Sequence, residues 1–379
     1  MKRAPFVLLF AIVLSACASA VPPTAALVVP TQTPTPPALT AAPSPAAKLW
    51  ISRRGYHAAA YDSHCDRVIV FSGEQAYTDS GIVWLRDTWT YDVVANAWQN
   101  MSPAQMPPLG STPWGDIGEG PMAYDEKADR TIVFVDVIHG DAATLATKTW
   151  AYDCATNTWT NLNAKGAPDS LLGARMVYDS KADRMILFGG ENGLPASWAT
   201  DNWTQSTETW AYDYQTNAWT NMHPTVSPPG QNYFPMVYDV LADRVLAWIK
   251  PDNDGDNALW AYDYAANTWT PYPMKQPAFR YYNAGAYVPT LKKALFFSGV
   301  TADDNETPIN DLWTYDSAAN AWAQLSPKTG PGPRGWATLT YSSKADKLVL
   351  VGGGVDRDNL TNQVWVYDPQ EGSWSQAGP

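Results

Sequence analysis

At 379 residues the chain could hold two or three ordinary domains. Its composition is 13% aromatic and only 16% charged, with 31 Pro and a formal net charge of -12. An acidic chain without a basic stripe excludes nucleic acid, whose phosphates need clustered Lys and Arg, and excludes electrostatic docking on anionic lipid. Few charges and many aromatic rings suit a β-rich extracellular protein rather than a disordered one.

Residues 1–16 read as a targeting segment. Lys2 and Arg3 form a short basic start, and Phe6 to Leu14 is an apolar core too short to span a bilayer as a mature helix. The following Leu14-Ser15-Ala16-Cys17 resembles the bacterial lipobox, which implies cleavage before Cys17 and lipidation of that residue. Membrane contact is expected through this anchor only, at the outside of a bacterial cell. Residues 17–49 then form a linker. From 18 to 47 it is uncharged and mostly Ala, Pro and Thr, an extended composition that reaches roughly 90 Å at ~3.1 Å per residue.

Residues 50–379 repeat. Six aromatic couplets read Trp89-Thr-Tyr91-Asp92, Trp150-Ala-Tyr152-Asp153, Trp210-Ala-Tyr212-Asp213, Trp260-Ala-Tyr262-Asp263, Trp313-Thr-Tyr315-Asp316 and Trp365-Val-Tyr367-Asp368. Nine residues after each first Trp stands a second: Trp98, Trp159, Trp219, Trp269, Trp322 and Trp374. Copies start 50 to 61 residues apart, the period of a four-stranded propeller blade. Within a copy the first strand ends in Tyr, usually Tyr-Asp, as at Tyr61-Asp62 and Tyr178-Asp179. A turn ending in Asp-Arg leads to a second strand apolar on both faces, such as Val68-Ile69-Val70-Phe71. The third strand carries Trp-x-Tyr on one face, and an Asp/Asn turn leads to the fourth, with the second Trp. A residue needed six times holds blades together and performs no single reaction. The fold predicted is all-β: a six-bladed propeller with four antiparallel strands per blade, closing without strand exchange.

These repeats resemble the kelch family of β-propellers across residues 50 to 379. The departure is the glycine doublet after strand two. It stands as Gly189-Gly190 and Gly352-Gly353, is halved in Ser72-Gly73 and Ser298-Gly299, and is absent at Val135-Asp136 and Ile249-Lys250. The resemblance implies loops at one mouth that bind a protein, peptide or glycan. It also raises two alternatives: a sugar-modifying enzyme such as a sialic-acid-type mutarotase, or a purely structural surface module. Binding is preferred to catalysis. His57, His64, His139 and His223 are scattered, and no zinc spacing, nucleophile elbow or phosphate loop is present.

The candidate ligand residues lie seven and five positions before each strand-one Tyr. The first position reads Arg54, Ile117, Leu171, Gln231, Arg280 and Arg334, and the second Tyr56, Glu119, Gly173, Tyr233, Tyr282 and Trp336. Blades four, five, six and one, contiguous in a closed ring, thus share a polar-x-aromatic pattern. Guanidinium groups beside aromatic faces bind carboxylates and stack sugars or rings, although Arg here also commonly bonds loop carbonyls. No cofactor is expected. Asp252, Asp254 and Asp256 could make a weak Ca2+ site, although Asn257 stands where a calcium loop needs Gly. Cys65 and Cys154 fall in turns two strand spacings apart, about 9–10 Å. That exceeds the roughly 7 Å reach of a disulfide, so they are expected to stay unbridged.

Overall fold

The computed structural model of the chain describes residues 48–78, 81–108, 120–135, 148–169, 171–192, 204–250, 258–272, 277–302 and 307–378. Six four-stranded antiparallel sheets follow one another along the chain as the blades of a propeller. Blade one comprises Ala58–Asp62, Arg67–Phe71, Thr88–Asp92 and Ala97–Asn100. Blade two comprises Met122–Asp125, Arg130–Phe134, Thr149–Asp153 and Thr158–Asn161. Blade three has Arg175–Asp179, Arg184–Phe188, Thr209–Asp213 and Ala218–Asn221, and blade four Met236–Asp239, Arg244–Ile249, Ala258–Asp263 and Thr268–Tyr272. Blade five has Ala284–Val288, Lys293–Phe297, Leu312–Asp316 and Ala321–Leu325, and blade six Gly335–Ser342, Lys347–Gly354, Val364–Asp368 and Ser373–Gln376.

The repeated polar residues explain why each turn is tight. Asp62 at the end of strand one accepts the backbone N–H of His64 and Cys65 at 3.0 and 2.9 Å, and Asp125, Asp179 and Asp239 do the same in their blades. The Asp ending strand three caps the next turn and also meets the cation that starts strand two. Arg67–Asp92, Arg130–Asp153, Arg184–Asp213 and Arg244–Asp263 lie at 2.8 to 3.0 Å. The couplet Tyr donates to the turn Asn, as Tyr91 does to Asn96 at 3.0 Å and Tyr152 to Asn157 at 2.8 Å. Those Asn residues hold a left-handed backbone, which their short polar side chain tolerates.

Apolar second strands sit between neighbouring sheets with almost no exposure, and the aromatic couplets fill the wedges. The ring closes without strand exchange, as expected, by packing and by hydrogen bonds between blades six and one. Ile51, Val68, Val70 and Trp89 of the first blade region meet Val349, Val351 and Val364 of blade six. Gly353 N donates to Arg54 O at 2.9 Å across that seam, and Arg54 N to Thr361 O at 3.0 Å.

One expectation is overturned. Cys65 and Cys154 form a disulfide, with their Cα atoms 6.4 Å apart. The separation expected from counting strands within one blade ignores how blades stagger. Trp150, Tyr152 and Trp159 of blade two pack on Ala58, Ala60, Ile69 and Phe71 of blade one, with Cys154 against the same cluster. Strand three of blade two thus lies over strands one and two of its neighbour, which removes the radial gap.

Candidate ligand-binding mouth and central channel

The segment that enters each first strand builds the mouth. Tyr56, Tyr233, Tyr282 and Trp336 all have left-handed backbone, φ 52, 52, 55 and 61. Bulky side chains rarely adopt this conformation, so the surroundings must impose it. They do so by a chain of backbone hydrogen bonds from blade to blade. Tyr233 N donates to Gly173 O at 2.9 Å, Tyr282 N to Tyr233 O at 2.9 Å, Trp336 N to Tyr282 O at 3.2 Å and Tyr56 N to Trp336 O at 3.2 Å. Gly173, φ 72, holds the equivalent place in blade three without a ring.

The four rings converge on the axis. Tyr233–Tyr282, Tyr282–Trp336 and Tyr56–Trp336 have centroids 4.8, 5.3 and 5.8 Å apart. Tyr56 and Tyr233 come from opposite blades yet lie 6.1 Å apart, edge to face. The rings therefore form a collar across the channel. Arg357 of blade six lies over Tyr56 at 4.9 Å and pairs with Glu74, whose side chain is fully buried. Arg175 lies 5.9 Å over Tyr233.

The sequence pattern brings the four aromatics together but not the three arginines. Arg54 is 0% exposed and donates to Ser52 O, to Ser72 O and, in a two-point pair, to both carboxylate oxygens of Asp87 at 2.9 Å. Arg280 bonds Ala278 O and Asp311. Arg334 donates to Gly332 O, Gly352 O and Gln363 Oε1, and burial pulls its pKa down to about 10. Each guanidinium is thus bonded within its own blade. Asp87, Asp311 and Gln363 also accept the indole N–H of Trp89, Trp313 and Trp365, tying each arginine to the couplet. Acids do meet two of the arginines, but in separate blades rather than converging on one reactive point. Gln231 is also buried, its amide donating to Asn232 O at 3.2 Å.

The partners of these arginines were readable. Asp87, Asp311 and Gln363 each stand two residues before a couplet Trp, in the three blades that carry Arg. Where the first position is Ile117, Leu171 or Gln231, that place holds Lys148, Glu208 or Ala258. Cys17, Ile117, Glu119, His139, Asp252, Asp254 and Asp256 lie outside the described residues.

Below the collar runs a channel of about 500 Å³ lined by the six first strands. Ala58, Ala60, Met122, Met176 and Gly285 keep its wall narrow and apolar. At its far end stand Ser63, Glu126, Ser180 and Ser343 of the short turns. His57 lies in this wall, fully buried and next to Arg54. Burial first and the cation second lower its pKa to about 3, so the ring is neutral.

Residues 247–379 match the family model described as the KLHDC2/KLHL20/DRC7 Kelch-repeats domain. The human Multiple epidermal growth factor-like domains protein 8 is 31% identical over 108 residues, 28% of this chain and 4% of that protein. The chain thus spans a small part of the length of that relative. The matched repeats and the six-bladed sheet order together support a kelch-type β-propeller.

Proposed function

We propose that the chain is an extracytoplasmic binding module, held at a bacterial cell envelope through lipidated Cys17, that recognises a protein, peptide or glycan at the collar mouth. The observation that carries this reading is the convergence of Tyr56, Tyr233, Tyr282 and Trp336 in strained left-handed backbone. Strain of this kind persists where surrounding structure over-determines it, and it clusters at ligand clamps. Aromatic faces supply contact area at small entropic cost and stack on rings, peptide planes or sugar C–H faces. The recognising groups are thus the aromatic half of the arc, since the guanidinium groups are engaged inside the blades.

The disulfide supports the compartment, because structural disulfides persist in oxidising surroundings. The signal-like start and the lipobox-like Leu14-Ser15-Ala16-Cys17 support the anchor. Kelch repeats also support a protein-interaction role as the broad class. Two measurements test the proposal. Cys17→Ala should release the protein from membranes, with intact mass showing an acylated Cys17 in the parent. Binding of detergent-purified full-length protein to a glycan array and to envelope fractions should fall in Tyr56→Gly/Tyr282→Gly. An unmodified N-terminus elsewhere, or unchanged binding, would overturn the corresponding half.

A further inference from the structure

Five buried polar atoms of the channel wall have no partner among the described residues. They are both amide atoms of Asn283, the Thr340 hydroxyl, His57 Nδ1 and the indole nitrogen of Trp336 above them. Asn283, Thr340 and His57 are 5%, 8% and 5% exposed. A buried donor or acceptor left unsatisfied costs about 1–3 kcal/mol, so such groups normally meet water or a ligand. They are not spread evenly around the ring. Asn283 enters from blade five, Thr340 from blade six and His57 from blade one, three neighbouring blades. Between them Thr338 Oγ1 fixes the His57 ring through Nε2 at 2.8 Å, which leaves Nδ1 as the unpaired nitrogen.

We propose that the central channel is a second ligand site, a chamber for a small neutral polyhydroxylated molecule, a sugar or polyol. Three properties select that chemistry. The unpaired groups are an amide, a hydroxyl and two ring nitrogens, which together exchange hydrogen bonds with hydroxyl groups in either direction. Above them Tyr282 and Trp336 line the same space and offer faces for C–H stacking. Its volume of about 500 Å³ falls within the 300–1,000 Å³ of small-molecule sites. Of the charged side chains, only Arg175 and Glu126 are among the described lining residues. The His57 ring is neutral, and the Arg175 guanidinium is held by Phe234 O at 2.9 Å and by the Tyr233 ring. Glu126 stands exposed at the turn end, where a carboxylate repels anions. The site shares the Tyr282 and Trp336 rings with the mouth, but its polar groups lie in the wall below them, so Thr340→Val tests the chamber while leaving every collar ring in place.

The test is ligand-detected saturation-transfer NMR on full-length protein in detergent. Its probes are glucose, N-acetylglucosamine, myo-inositol and glucuronate. At least one neutral probe should bind, glucuronate more weakly. Thr340→Val, nearly isosteric, and Asn283→Leu should each weaken it roughly tenfold, the loss of about one hydrogen bond. Thermal midpoints without probe show that both variants remain folded. If Asn283→Leu unfolds, Thr340→Val alone decides. Absence of binding by every neutral probe at 10 mM, or undiminished binding by folded Thr340→Val, would overturn the proposal and leave a water-filled channel.

Discussion

The indole of Trp159 in blade two donates to the hydroxyl of Thr88 in blade one at 2.9 Å, across a seam where both side chains are buried. Trp219 repeats this with Thr149 and Trp269 with Thr209, each at 2.9 Å. In the other three blades the residue before the couplet Trp is Leu259, Leu312 or Val364. The indole nitrogens of Trp322, Trp374 and Trp98 are then buried without a partner among the described residues. Half of the seams thus carry an indole–hydroxyl bond in their aromatic wedge and half do not. Thr88→Val should therefore cost about 1–3 kcal/mol by orphaning Trp159. Val364→Thr should be neutral or stabilising by up to ~1 kcal/mol, since it gives Trp98 a partner. Denaturant unfolding measures both, and equal destabilisation by the two would contradict the pairing.

The Cys65–Cys154 bridge closes a loop of sequence separation 89 between blades one and two. Loop-closure entropy at that length corresponds to about 4–5 kcal/mol as an upper value. Reduction, or Cys65→Ser/Cys154→Ser, should lower the thermal midpoint while leaving the fold intact. Denatured, unreduced protein should show no thiol at either position by mass spectrometry after alkylation. Alkylation of both residues would contradict the bridge.

The buried arginines predict lost stability before lost affinity. Removing one partner of a buried ion pair costs about 3–5 kcal/mol, an upper bound here because the carboxylates left behind are partly exposed. Arg54→Ala strands Asp87, and Arg280→Ala strands Asp311 together with the Trp313 indole it holds. Both should unfold at lower denaturant, and an Arg280/Arg334 double substitution with an unchanged midpoint would contradict this placement.

The repeats, the four strands of each blade, the turn residues and the closure of the ring were legible because each depends on short-range pattern. The orientation of Arg54 relative to Tyr56 was not. Residues two apart share a side only in extended backbone. The left-handed conformation at Tyr56, Tyr282 and Trp336 breaks that rule, sending guanidinium groups into the blade and rings to the axis. The disulfide was hidden for a related reason, since the stagger between blades belongs to tertiary packing and leaves no mark on residue spacing.

His57 gives the propeller a pH dependence with a definite sign. Its folded pKa, about 3, lies below the ordinary 6.5, so the unfolded chain binds this proton more tightly. Its contribution is complete above pH 6.5 and is lost as pH falls toward 3. Between pH 6.5 and 5 the loss is ~2 kcal/mol at 1.36 kcal/mol per unit. The carboxylates Asp66, Asp243 and Asp346 have lowered pKa values and act at still lower pH. Buried Asp62 and Asp125 and half-buried Glu191, with pKa values raised chiefly by desolvation, work in the opposite sense. Comparing wild type with His57→Asn isolates the imidazole: the difference in unfolding free energy between pH 7 and 5 should shrink by that amount. Identical slopes would contradict a neutral buried His57.

The most direct measurement of the binding role compares ligand affinity at the two faces of the ring. Tyr56→Gly and Tyr282→Gly use the residue that blade three already carries at Gly173, so they remove rings while relieving backbone strain. Lys181→Ala, on the opposite face, removes only an exposed pair with Asp243. Titrating the glycan or envelope ligand captured by wild type against each variant, the Tyr56→Gly/Tyr282→Gly protein should lose at least tenfold in affinity with its thermal midpoint preserved. Lys181→Ala should bind as wild type. Unchanged affinity in the tyrosine variant, or a loss confined to Lys181→Ala, would contradict recognition at the aromatic collar.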